Sequence, residues 1–190
     1  MKRNILSFFS FLPLLYTAQG QLQLLFNNLP FRVSEYYLTP SSDTIFIHQF
    51  KFYLGDNSGN YHLVDLEDTA TMRLPFSGEK LVVGMDSAAN TSGKLDGAFD
   101  PLLGMYWAWN TGYILLKVLG TWNRKPFEYH IGGYRSPYLT HAVLNSISEQ
   151  QRTIKLDQFF AVLPVSTQPK IMLPCKEAKT IFDAFVSGFQ

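Results

Sequence analysis

The sequence predicts an all-β fold: an antiparallel β-sandwich-like domain with long loops and a short C-terminal helix. Three observations carry this. Residues 44–54 (TIFIHQFKFYL) alternate along the chain, and a period of two is the mark of a strand. Short apolar runs recur between clusters of Gly, Asn, Asp and Ser, the pattern of a sandwich. A helical period of three and four residues appears near the end, in Ala178, Ile181, Phe182, Phe185 and Phe189, and Pro174 suits the start of that helix.

The first twenty residues, MKRNILSFFSFLPLLYTAQG, read as a secretory signal peptide. Lys2 and Arg3 precede an apolar run, and Ala18 and Gly20 are small residues at the cleavage positions. The run is too short to span a bilayer, and no later stretch is long enough. The expectation is a secreted or periplasmic protein with no membrane span. Residues 21–190 then form a single domain large enough for a real core. Taking Lys2 and Arg3 from the 16 basic residues leaves 14, against 15 acidic. A charge so near zero argues against nucleic acid or an anionic membrane as partner. Cys175 is the single cysteine, so the core holds the domain without an intramolecular disulfide.

The strands follow in order. Leu22–Phe26 is the first. In Thr44–Leu54, strict alternation puts Phe46, His48, Phe50, Phe52 and Leu54 on one face. Ile45, Ile47, Gln49, Lys51 and Tyr53 take the other. GDNSGN, residues 55–60, is a turn rich in residues that tolerate positive φ, and Tyr61–Leu66 returns as a partner. Leu81–Val83, Tyr113–Leu119 and Phe127–Ile131 are further strands. Thr153–Leu163 reads as either strand or helix. Asp86–Gly104 has little regular character, and a loop this long is usually functional or disordered. The expectation is an ordered loop whose Asp and Asn side chains bond backbone amides, with Phe99 and Leu102 as anchors.

No GxSxG, HExxH, Walker or CxxC pattern occurs, so the chain does not read as an enzyme. Of the four histidines, His48 falls on the aromatic face of its strand, as a bonded core residue or a metal ligand. His130, in FEYHIGGY, has Gly132 and Gly133 beside it, which frees space for a ligand or for close backbone approach. His62 and His141 read as solvated. Asp86, Asn90, Asp96 and Asp100 fit turn chemistry or an oxygen-lined calcium site. Asn90-Thr91-Ser92 is a glycosylation sequon. The densest aromatic stretch is GMYWAWNTGY, residues 104–113. Its tryptophans fit core packing, a stacking surface for sugar rings, or a residue used as chemistry.

Residues 84–120 (GMDSAANTSGKLDGAFDPLLGMYWAWNTGYILLKVLG) resemble the central block of the MbnP-like copper-binding domain family. FEYHIGGY is similar to its next block. FKFYLGDNSGNYHLVD and FFAVLPVSTQPKIMLPCKEA follow its layout, so the resemblance spans nearly the whole mature chain. It implies an exported β domain holding one copper ion, with no organic cofactor. The ligands it implies are two histidines and a tryptophan opened to kynurenine by a diheme MauG-like peroxidase. Carried over residue by residue, the metal candidates are His130, His48 and one of Trp107 and Trp109. The resemblance also implies that His48 and His130 stand close together. Where many similar sequences carry a His and a Ser-Pro-Gly run, this chain has Lys170 and Leu173-Pro174-Cys175; Met172 and Cys175 there read as core packing and a helix start, or as soft donors in its place. A sugar-binding or purely structural surface module without metal is the alternative.

Overall fold

The long strand β4 (Thr44–Gly55) organises the domain. The computed structural model describes residues 21–75, 80–107, 112–145 and 151–190. The predicted signal peptide and Trp109 lie outside these residues. Before β4 come β1 (Gln21–Phe26), β2 (Leu29–Pro30) and β3 (Tyr36–Leu38). After it come β5 (Tyr61–Asp65), β6 (Leu81–Gly84), a short helix α1 (Ser87–Asn90), β7 (Leu116–Trp122) and β8 (Lys125–Ile131). The chain continues with β9 (His141–Leu144), β10 (Gln151–Lys155), α2 (Asp157–Ala161), β11 (Lys170–Ile171) and α3 (Lys176–Ser187).

Eight strands form the main sheet, in the order β11-β8-β7-β4-β6-β9 with β3 and β5 also paired to β4; β10, β1 and β2 form a second sheet. The predicted β class therefore holds. Most pairs are antiparallel, but β1–β10 and β8–β11 are parallel. The ambiguous segment resolves into both readings, strand to Lys155 and helix from Asp157. The C-terminal helix carries the predicted face, with Ala178, Ile181, Phe182 and Phe185 buried; Phe189 falls just beyond it, in a bridge to Ile154. Cys175, rather than Pro174, caps it, its Sγ accepting from the Ala178 amide at 3.4 Å.

One correction concerns the faces of β4. Ile47 pairs with Gly120 and Gln49 with Leu119, so His48 is an extra residue without a partner, a β-bulge. The bulge shifts the alternation by one. Ile45 and Ile47 before it, and Phe50, Phe52 and Leu54 after it, all enter the same core. His48 is exposed, and Phe46 is only partly buried, its ring tilted at 43° to that of Tyr36 with centroids 4.8 Å apart. The reading of His48 as a member of an aromatic core face is therefore wrong.

The inner face of the main sheet is covered by a phenylalanine-rich layer. Phe185 of α3 packs on Phe52 at 5.0 Å and on Phe50 at 5.9 Å between centroids. A smaller apolar cluster covers part of the outer face. The Asp86–Gly104 loop adds Phe99 to it and is ordered by the predicted chemistry. Asp86 accepts from the Ala89 amide at 2.7 Å and Asp100 from the Leu102 amide at 2.9 Å. Phe99 anchors the loop, buried against Tyr53 and Tyr113. Leu102 does not: it is 92% exposed. The Tyr53 hydroxyl donates to the Ala98 carbonyl at 2.7 Å instead.

Candidate metal centre

His130 stands on the outer face of β8, where the polar strip of the sheet meets the loop cluster. It is opposite Lys117 of β7, which is opposite Lys51 of β4. Its chain neighbours Tyr129 and Ile131 point inward and are fully buried, so the core fixes the strand that carries it. His130 itself is 7% exposed.

The polar neighbours of His130 are Lys117 and Glu128. The Lys117 ammonium donates to the Gly104 carbonyl at 3.1 Å. Glu128 meets Lys170 Nζ at 3.0 Å through Oε2. Its other oxygen, Oε1, comes within 3.1 Å of His130 Nε2, but not along a hydrogen-bonding direction: neither ring nitrogen of His130 has a hydrogen-bond partner. Burial, then the Lys117 charge, push the imidazolium pKa down to about 4, against the opposing pull of Glu128. At neutral pH the ring is therefore neutral, and its contact with Glu128 is not an ion pair.

Trp107 closes the corner. Its amide donates to the Gly112 carbonyl at 2.9 Å. Its ring lies over Gly132, the next residue on the face of His130. A side chain at Gly132 would stand 3.0 Å from Trp107 Cζ3 and 2.6 Å from the Tyr113 carbonyl oxygen. So the space freed by Gly132 is filled by the indole. Gly133 serves close approach instead, since a Cβ there would meet the Tyr138 carbonyl at 2.2 Å. Trp107 Nε1 is buried and has no hydrogen-bond partner. The indole is half-buried, with Cζ3 and Cη2 its nearest atoms to Gly132.

Buried polar groups are nearly always bonded. Here four unpartnered nitrogens fall on residues singled out from sequence: both of His130, Nε1 of Trp107 and Nδ2 of Asn90. A neutral imidazole with a free lone pair suits copper, so His130 fits the group. The indole as it stands does not, because it offers a donor and no lone pair. His48 is also on the outer face, but β7 separates it from His130. At ~4.8 Å per strand spacing and ~3.3 Å per residue, their backbones are roughly 12 Å apart. The fold brings them to one face without joining them. Among the described residues, no three of His, Cys, Asp and Glu converge on a metal-sized site.

The other candidates settle as structure. His62 Nε2 bonds the Thr71 carbonyl oxygen at 2.7 Å. Asp86 and Asp100 cap turns, Asp96 lies 4.0 Å from Lys94, and Asn90 Oδ1 accepts from the Tyr113 amide at 3.2 Å. At 4% exposure Asn90 is no acceptor for a glycan in the folded chain. An apolar recess of 360 Å³ beside Phe26, Trp122 and Phe160 lies away from His130.

The chain matches the MbnP family model over residues 15–180. Among solved structures it is similar to MbnP from Methylosinus trichosporium, with a TM-score of 0.53 and 11% identity, covering 86% of each chain. At that identity the likeness speaks for the fold alone. No curated protein matches the chain.

Proposed function

The chain belongs to the MbnP family, and from that premise we propose that it is an exported copper-binding protein and not an enzyme. His130 is the anchoring ligand. The observation that carries this is the pair of buried, unpartnered ring nitrogens on an imidazole kept neutral. Trp107 supplies the second donor once its ring is opened to kynurenine, whose aniline nitrogen and carbonyl offer the lone pairs an indole lacks. Trp109 is the other candidate for that modification. His48, exposed on the same face with β7 between it and His130, is the further ligand of this reading. The oxidant is an exported diheme peroxidase of the MauG type.

Bound copper would satisfy the imidazole lone pair. The loop cluster keeps water from that side, which strengthens each metal–ligand bond. The test is metal content and intact mass of the protein purified from its native host. One equivalent of copper is expected, with a gain of about 4 Da on the peptide holding Trp107 and Trp109. The Trp122 peptide should be unshifted. His130→Ala should lose the copper and keep the fold. Native protein with unshifted tryptophans and no copper refutes the reading.

A further inference from the structure

We propose that Met172 is a thioether ligand of this centre and makes it selective for the cuprous ion; the inference rests on the copper reading of His130. The geometry is bracketed on both sides. β11 runs parallel to β8, with Lys170 opposite Glu128 and Ile171 opposite Tyr129. The Lys170–Glu128 contact of 3.0 Å fixes that pair on the outer face, and Ile171 and Tyr129 are buried on the inner one. The ladder ends with that pair, and one residue further along the two chains stand Met172 and His130. Beyond them, Pro174 Cβ is 3.4 Å from where a Gly133 side chain would begin. The chain is thus held beside β8 before and after Met172. Alternation points the Met172 side chain outward with Lys170, on the face of His130. Met172 is half-buried, yet it is not among the side chains packed on either apolar cluster.

The chemistry selects the ion. A thioether is a soft donor that carries no charge and no proton, and it suits Cu(I) far better than Cu(II) or zinc. Of the nearby Glu128 carboxylate, Oε2 is held by Lys170 and Oε1 lies 3.1 Å from His130 Nε2. A soft sulfur beside the imidazole nitrogen is what tilts the donor set toward Cu(I).

The test uses mature protein labelled with ¹³C at the methionine methyl groups. It is titrated anaerobically with Ag(I), a diamagnetic stand-in, and then with Cu(I). The Met172 methyl resonance, assigned by its loss in Met172→Leu, should move, and those of Met72, Met85 and Met105 should not. In competition with a chromogenic chelator, Met172→Leu should lose about tenfold or more in Cu(I) affinity and change Cu(II) affinity by less than about twofold. Leucine is close in volume, so the fold should stand. An unmoved Met172 methyl, or unchanged Cu(I) affinity in the variant, overturns the inference and leaves the copper reading in place. Equal loss of both affinities with a lower Tm assigns Met172 a packing role and also overturns it. Wild-type protein that takes up neither ion defeats both readings.

Discussion

Deleting His48 should leave the domain folded, whereas deleting Lys51 from the same strand should not. With His48 gone, Gln49 follows Ile47, and their partners Gly120 and Leu119 are already consecutive. Ile45, Ile47, Phe50, Phe52 and Leu54 then keep their inward positions under plain alternation. His48 is exposed, so no core area is lost. The cost is the local twist that the bulge provides, on the order of 1–2 kcal/mol. Deleting Lys51 keeps the bulge and shifts the remainder of β4 by one residue, which exchanges its faces. Either Phe52 and Leu54, or Ile45, Ile47 and Phe50, must leave the core. At ~1.5–3 kcal/mol for each exposed side chain, two or three of them cost roughly 3–9 kcal/mol. That is comparable to the whole stability of a typical domain, ~5–15 kcal/mol. Urea unfolding followed by circular dichroism compares the two mature proteins. Equal damage from both deletions, or a Lys51 deletion as stable as wild type, would refute the assignment of His48 as the bulge.

Gly132→Ala should lower stability by about 1–3 kcal/mol, because the new methyl meets a fixed carbonyl and the Trp107 ring. Its Tm should fall by ~2–4 °C per kcal/mol with a shift in tryptophan emission; an unchanged Tm would remove Trp107 from this corner. Acid should weaken the fold through His130. The folded-state pKa of about 4 lies below the ordinary 6.5, so the unfolded chain binds the proton first and stability falls as pH drops from 6.5 toward 4. His130→Gln should lack this component, read as a shallower decline of Tm with pH; parallel curves for the two proteins would show that the ring is not held neutral.

The parts legible in the sequence were those set by local pattern. The alternation of β4, the turn at residues 55–60 and the apolar face of α3 all depend on neighbours within a few residues. The bulge was not legible, because it is defined by β7, a partner strand far along the chain. Its effect was to reverse the reading of His48 while leaving the strand itself correct. Leu102 was misplaced for a related reason. The chain turns outward at Gly104, in the left-handed region at φ 72°, and no periodicity marks that exit. β9 and β11 are too short to show a period, and they exist because the sheet edges beside them need partners. The register of β11 in turn is what places Met172, so the sequence offered the donor without its neighbour. His130 was found from its block, yet its isolation comes from Lys117 and Lys170, which no spacing rule connects to it.

That isolation separates the competing accounts of the chain. A buried polar group without a partner costs about 1–3 kcal/mol, a sizeable share of a domain's margin. A purely structural module gains nothing by bearing it, and an apolar residue at position 130 would pack the same corner without the penalty. Here the nearby groups are held by others, Glu128 Oε2 by Lys170 and Lys117 by the Gly104 carbonyl, while Glu128 Oε1 stands 3.1 Å from His130 Nε2 without a hydrogen bond. The inward residues Tyr129 and Ile131 meanwhile hold the strand rigid. A ring kept neutral and unbonded on a fixed strand is costly to a domain that binds nothing there. The copper reading explains why that cost is borne, because a metal ion needs the lone pair that a hydrogen bond would otherwise occupy.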